Sequence, residues 1–209
     1  MIRKGSTILL LIGLVLLGYV GYQKLTVQQT LSVELEKAKE VVVQAEGQST
    51  KTADQSAQKE PMDRKADREP DMTFANGETL GFLSIRSLDM ELPLLEGVDE
   101  ATLAKGVGHH PETAFPGQAD RIFIAGHNDT TFSKISQLQE GDEVELFLAD
   151  GSYRYVMRSS EIVDDTDTRV LQSTGKESLV ISTCYPFYNV TDSTERYLIY
   201  LEPVKEEAP

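Results

Sequence analysis

The sequence predicts a mainly β domain, a sandwich or barrel with short helices on its connections, preceded by an N-terminal transmembrane helix. Three observations carry that reading. An uncharged apolar run opens the chain, a series of short apolar-rich segments fills its second half, and two alternating segments meet at an Asp-Gly turn.

The opening run, Gly5 to Gln23, is dominated by Leu, Ile, Val and Gly and carries no charge. As a helix it would rise about 28 Å, close to the hydrocarbon thickness of a bilayer. Arg3 and Lys4 precede it, so residues 1–4 are expected in the cytoplasm and the remainder outside. Tyr19 and Tyr22 fall where an interfacial aromatic belt would sit. A cleaved signal peptide would need small residues in an A-x-A-like pattern, and the first alanine is Ala38. No second apolar run of that length follows. The expectation is an uncleaved signal anchor over 5–23 in a single-pass protein of the cell membrane.

Residues 24–73 read as a stalk. Leu31, Val33, Leu35 and Val41 to Val43 mix with Glu and Lys, which suggests a short helix continuing from the membrane without the sustained heptads of a coiled coil. After Gly47 the composition turns to Gln, Ser, Thr, Lys, Asp and Glu, with Pro61 and Pro70. Such a stretch cannot bury enough surface to offset its ordering entropy. It is expected to be disordered, and as a flexible coil the whole stalk would span roughly 40 Å.

The folded domain is expected over 74–209. Leu80 to Ile85 and Leu88 to Leu95 give two strands, with Pro93 placing the second at an edge or a strand end. Ala101 to Lys105 and Thr130 to Leu138 read as short helical turns. Arg121 to Ala125 is a buried strand through Ile122, Phe123 and Ile124. Val144, Leu146 and Leu148 alternate, Asp150-Gly151 turns the chain, and Tyr153, Tyr155 and Met157 alternate again. That pattern is a hairpin with a type I′ turn. Leu179 to Thr183 and Arg196 to Leu201 supply two more strands. Many short strands with few helices mean a sandwich or a barrel.

Composition narrows function. With 34 acidic against 20 basic residues the net charge is −14. No basic stripe interleaves with aromatics, so nucleic acid is excluded as a partner, and the acidity reads as solubility outside the cell. The one cysteine, Cys184, leaves no intrachain disulfide, so the fold rests on core packing. A lone cysteine in an exported protein is either a buried hydrophobe or a free reactive thiol.

Cys184 ends the run Leu179-Val180-Ile181-Ser182-Thr183 and is followed by Tyr185-Pro186. Proline stops regular pairing, and a thiol at a strand end is open to a substrate. His127 closes the strand Ile124-Ala125-Gly126 in the same way, and imidazole suits acid–base work near neutral pH. On the residues alone such a pair is either catalytic or structural. Arg196 opens the last strand twelve residues after Cys184. If the two strands are antiparallel neighbours, its guanidinium can stabilise an oxyanion beside the thiol. The alternative is a surface pair with Glu195 or Asp192.

Gly106-Val107-Gly108-His109, Ile124-Ala125-Gly126-His127, Ser182-Thr183-Cys184 and Glu195-Arg196-Tyr197 resemble the sortase family, in that order and at similar spacing, over about Leu80 to Pro203. The resemblance implies an eight-stranded β-barrel with His127, Cys184 and Arg196 converging on one groove. It implies a cysteine transpeptidase that cleaves an LPXTG-like sorting signal after Thr, holds the acyl group as a thioester and passes it to an amine of a peptidoglycan precursor or another envelope component. No metal or organic cofactor is implied. Cys184-Tyr185-Pro186-Phe187 with Glu195-Arg196-Tyr197 looks most like class D. Asn128 departs from the family pattern, where many relatives have Arg after the histidine. His109 and His110 lie in a loop before Pro111 and are assigned a structural role, because adjacent histidines alone are not a ligand set. Two rival readings are a cysteine peptidase on the same scaffold and a non-catalytic envelope module that binds a sorting peptide; only the module would tolerate loss of the Cys184 thiol.

Overall fold

The computed structural model describes residues 2–53, 73–187 and 193–204. Eight strands close into a barrel: β1 (Thr79–Ile85), β2 (Met90–Glu96), β3 (Val107–His109), β4 (Arg121–Ala125), β5 (Glu143–Leu148), β6 (Gly151–Asp164), β7 (Ser178–Tyr185) and β8 (Glu195–Pro203). Their order around the barrel is β1-β2-β3-β4-β7-β8-β6-β5. Two neighbouring pairs, β2/β3 and β4/β7, are parallel and the others antiparallel. A helical turn, α2 (Glu100–Leu103), and short 3₁₀ turns ride on the connections.

Side-chain alternation sorts the core. Ile122 and Ile124 of β4, Leu179 and Ile181 of β7, and Ile199 and Leu201 of β8 join Leu83, Ile85, Val144, Leu146, Tyr155 and Met157 inside the barrel. The residues between them do not face water either. Phe123, Val180 and Leu198 form a second apolar cluster with Val170, flanked by Ala125, Val163, Leu171 and Tyr200. Burial on both faces is why β4 and β7 read as unbroken apolar runs rather than alternating ones.

Several expectations change in detail. The hairpin β5–β6 forms, with Leu148 paired to Gly151, but its turn is not type I′. That type needs positive φ at both central residues, and among described non-glycine residues only Asp89 and Ala119 have it. The turn residues are Ala149 and Asp150, and Gly151 at φ 147° opens β6. His109 lies in strand β3 rather than in a loop. Pairing of β7 continues past Cys184 to Tyr185. Pro93 sits just before Leu94, the first residue of β2 to pair with β3.

At the N-terminus one helix, α1 (Ile2–Ala53), runs well beyond the short extension expected. No proline interrupts it before Pro61, and its second half gains tertiary support, which is what sustains most helices in proteins. Ala38 and Val42 are buried against the barrel. Lys39 Nζ stands 2.7 Å from Glu91 of β2 and 5.9 Å from the ring centroid of Phe82, which itself stacks on Phe147 at 4.5 Å. Among the described residues no helix is long and apolar enough to cross a membrane. The part of the expected disordered stalk from 54 to 72 lies outside the described residues.

Exposed carboxylates give the domain an acid limit. The Asp120 carboxylate takes hydrogen bonds from the Ser173 side chain and from the amides of Thr174, Arg121 and Gly175, which hold its pKa well below the usual 3.8. Asp99 is lowered to about 2 by the Thr102 hydroxyl and the Asn76 amide. A depressed carboxylate contributes stability that is complete above its unfolded pKa, near 3.8, and is lost as pH falls through the folded value. Thermal unfolding is therefore expected to show Tm dropping steeply between about pH 4 and pH 2. Asp120→Asn should lower Tm at pH 7 and make that decline shallower. An equally steep decline in the variant would remove Asp120 from the account.

Candidate active site

Register alone brings the three singled-out residues together. Parallel pairing of β4 with β7 sets Ala125 opposite Ser182, so the next outward position on each strand is His127 beside Cys184. Antiparallel pairing of β7 with β8 sets Cys184 opposite Arg196. Alternation places Phe123, Ala125 and His127, Val180, Ser182 and Cys184, and Arg196, Leu198 and Tyr200 on one outer face of three adjacent strands. The lower members of each series form the apolar floor described above, and the upper members are the polar rim. A cavity of about 390 Å³ covers this face, bordered by His127, Cys184 and Arg196 at one end. Residues of the segment from Val163 to Leu171 line it as well, beginning beside Arg196.

Hydrogen bonds fix the His127–Cys184 juxtaposition from both sides. Thr183 Oγ1 donates to the Gly126 carbonyl at 2.7 Å, a buried bond. Asn128 Nδ2 donates to the Cys184 carbonyl at 3.1 Å and to that of Pro186 at 3.4 Å. The residues before and after the histidine are thus clamped to the strand that carries the thiol. Asn128 is buried, and this link accounts for an amide at that position. Gly126 allows close packing, because a Cβ there would meet Phe132 at 2.6 Å. The His127 carbonyl accepts from Phe132 N at 2.8 Å, so the loop leaving β4 folds back onto the backbone of the histidine.

The three side chains are half-exposed, with His127 at 29% and Arg196 at 33%. Arg196 does not make the alternative surface pair with the Glu195 carboxylate, and Asp192 lies outside the described residues. Its Nη1 donates to the carbonyls of Ser193 and Glu195, each at 3.1 Å, and Nη2 is 3.7 Å from Asp165 Oδ2. His110 also borders the cavity, and burial pushes the pKa of its imidazole below the ordinary value. The partner histidine, His109, is structural. It is 2% exposed, with Nδ1 at 2.8 Å from Glu96 Oε2 and Nε2 at 3.0 Å from the Ala114 carbonyl, and it stacks on Phe115.

Residues 83–204 match the Sortase domain family. The chain belongs to the sortase family. It is 34% identical over 190 residues to Sortase D of Bacillus subtilis (strain 168), covering 90% of this chain and 91% of that one. It is 29% identical over 126 residues to Sortase A of Bacillus anthracis, 58% of each chain. Among solved structures, the Clostridium perfringens Sortase D5 transpeptidase superposes with a TM-score of 0.62 at 21% identity, over 83% of this chain and 99% of that one. The Clostridium perfringens sortase C with a C-terminal cell wall sorting motif gives 0.57 at 26% identity, over 63% and 74%. As a sortase the chain is a cysteine transpeptidase, and it has one cysteine to work with. The class D likeness read from the residues around Cys184 and Arg196 agrees with the Bacillus subtilis relative.

Two residues of this sortase's site had no signal in the sequence. Glu100, in the first turn of α2, places Oε1 at 3.7 Å from His127 Nε2. Val27 of α1 borders a second cavity that also reaches His127 and Cys184. A single Glu in an acidic chain and a single Val in an apolar helix carry no pattern, and only the tertiary arrangement picks them out.

Proposed function

We propose that Cys184, His127 and Arg196 are the catalytic residues of this sortase, and that it cleaves an LPXTG-like sorting signal and transfers the carboxyl side of its threonine to an amine of the cell envelope. The observation that carries this reading is the side-by-side register of the sole thiol with an imidazole on one flank and a guanidinium on the other. The Cys184 thiolate attacks the carbonyl carbon after threonine. Arg196 stabilises the oxyanion, and His127 protonates the departing amine. A C–N bond breaks, a C–Sγ bond forms, and the acyl group stays on the enzyme. The incoming amine then attacks the thioester, gives its proton to His127 and releases Cys184. The sorting motif named for the Clostridium perfringens relative supports the peptide class, and the apolar floor of the groove gives the apolar residues of such a peptide a surface to lie on.

The same proposal places the domain outside the cell, with residues 5–23 as a signal anchor. The uncharged run and the Arg3-Lys4 pair before it support that orientation.

The test uses the full chain, extracted from membranes in detergent, with a panel of LPXTG-like peptides and a defined primary amine. Mass spectrometry is expected to find both an acyl-enzyme adduct on Cys184 and the amide product. Cleavage without ligation to any amine would replace the transferase reading with that of a peptidase. Failure of the chain to sediment with alkali-washed membranes would remove the anchor.

A further inference from the structure

Two cavities meet at the thiol. The one over the apolar floor includes Arg196. The second, of about 450 Å³, is bordered by Val27 and by Asn128, Asp129 and Thr130, the residues that follow His127. Among the described residues, only Glu100, His127 and Cys184 border both. A transferase has to bring two substrates to one carbonyl carbon. Once the acyl group fills the first cavity, the second is the open approach to the thioester.

Both are acidic, and what separates them is a cation. Arg196 faces the first together with the carboxylates of Asp164, Asp165 and Asp167, while among the described residues no Lys or Arg borders the second, whose charged neighbours are the Glu100 and Asp129 carboxylates. Glu100 stands at the junction, 88% exposed, with Oε1 at 3.7 Å from His127 Nε2. That separation is longer than a hydrogen bond and leaves the carboxylate free to accept another donor. Its place is set by the capping of α2, where Asp99 accepts from the amides of Ala101 and Thr102 and from the Thr102 hydroxyl.

Resting on the transferase reading above, we infer that the second cavity is the acceptor subsite and that the Glu100 carboxylate selects a primary amine arriving in its protonated form. The ammonium group binds Glu100 within reach of His127 and loses one proton to solvent. Its nitrogen attacks the thioester carbonyl carbon, so an N–C bond forms and the C–Sγ bond breaks. The second proton passes to His127 Nε2, and Cys184 leaves as a thiolate facing an imidazolium. Asp129 adds to the negative potential on the entry side.

Selectivity between two acceptors tests this without depending on the overall rate. The full chain in detergent is given a sorting peptide that it cleaves, together with an alkyl primary amine and hydroxylamine, which is uncharged at neutral pH. The amide-to-hydroxamate product ratio is read by mass spectrometry. Glu100→Gln is expected to lower that ratio about fivefold, the scale of one exposed charge contact, and Glu100→Asp to retain most of it. Added salt should lower the ratio for the native chain more than for the Gln variant, because the attraction is ionic. An unchanged ratio in Glu100→Gln, even with slower turnover, would overturn the subsite and leave Glu100 acting only on His127. Absence of both products from the native chain would overturn the transferase reading and the subsite with it.

Discussion

Cys184→Ala is expected to remove cleavage and ligation of the sorting peptide together, by about 10⁴-fold or more, the scale seen when a covalent nucleophile is deleted. The argument is one of supply. The chain has a single cysteine, so no second thiol can form the acyl-enzyme. Cys184→Ser should lose nearly as much, because a hydroxyl is a far weaker nucleophile than a thiolate even with His127 beside it. Stability should hardly change. Cys184 belongs to neither apolar cluster and is partly exposed, and substitutions at such positions usually shift stability by about 0.5 kcal/mol or less. A Tm close to the native value with no thioester adduct is the expected pair of results. Retained cleavage in Cys184→Ala would exclude covalent catalysis at this site. Peptide binding that survives without any turnover by the native chain would favour a binding module.

The strands that build the site were legible because both of their faces are apolar, which makes Ile122 to Ile124 and Leu179 to Ile181 stand out. The register that joins them was not. His127 and Cys184 sit on parallel neighbours far apart in sequence, and nothing local states that Ala125 will face Ser182. Strand β3 was missed for a different reason. Its three residues, Val107 to His109, are too few for a periodicity, and Gly108 is a poor strand former. The glycine is there because a Cβ would meet the Gly97 carbonyl oxygen at 2.1 Å. Where backbones approach that closely, packing overrides propensity. The reach of α1 was underestimated because Phe82, Glu91 and Phe147, which receive its second half, lie on strands whose outer faces the sequence left unassigned. Glu100 marks the limit of such reading. Its importance lies in a distance to His127, and distance has no sequence signature.

Arg196→Lys is the second large effect, with an expected fall in kcat of about 10²- to 10³-fold, the scale of a deleted oxyanion donor. Charge is preserved in that substitution, so a loss of this size would assign the role to the geometry of the guanidinium. Lysine is a point charge on a flexible stem and cannot offer two donors in a fixed fork. In the free protein the guanidinium is already held by its own strand end. Nη1 is held by the Ser193 and Glu195 carbonyls, and Nη2 leans toward Asp165 at 3.7 Å, while β8 keeps the residue opposite Cys184. Donors fixed before the reaction need little reorganisation when negative charge appears on the carbonyl oxygen, which is where such groups gain their effect. The split between kcat and KM decides what Arg196 does. A fall in kcat with KM nearly unchanged means that the contact forms in the transition state, and a rise in KM alone means that Arg196 only holds the peptide. Asp165→Asn is the companion measurement. If the Asp165 carboxylate helps to aim the fork, kcat should fall modestly, by roughly two- to fivefold, the worth of one half-exposed pair. An Arg196→Lys enzyme with near-native kcat would leave oxyanion stabilisation to backbone amides near Cys184 and reduce Arg196 to a strand-end support.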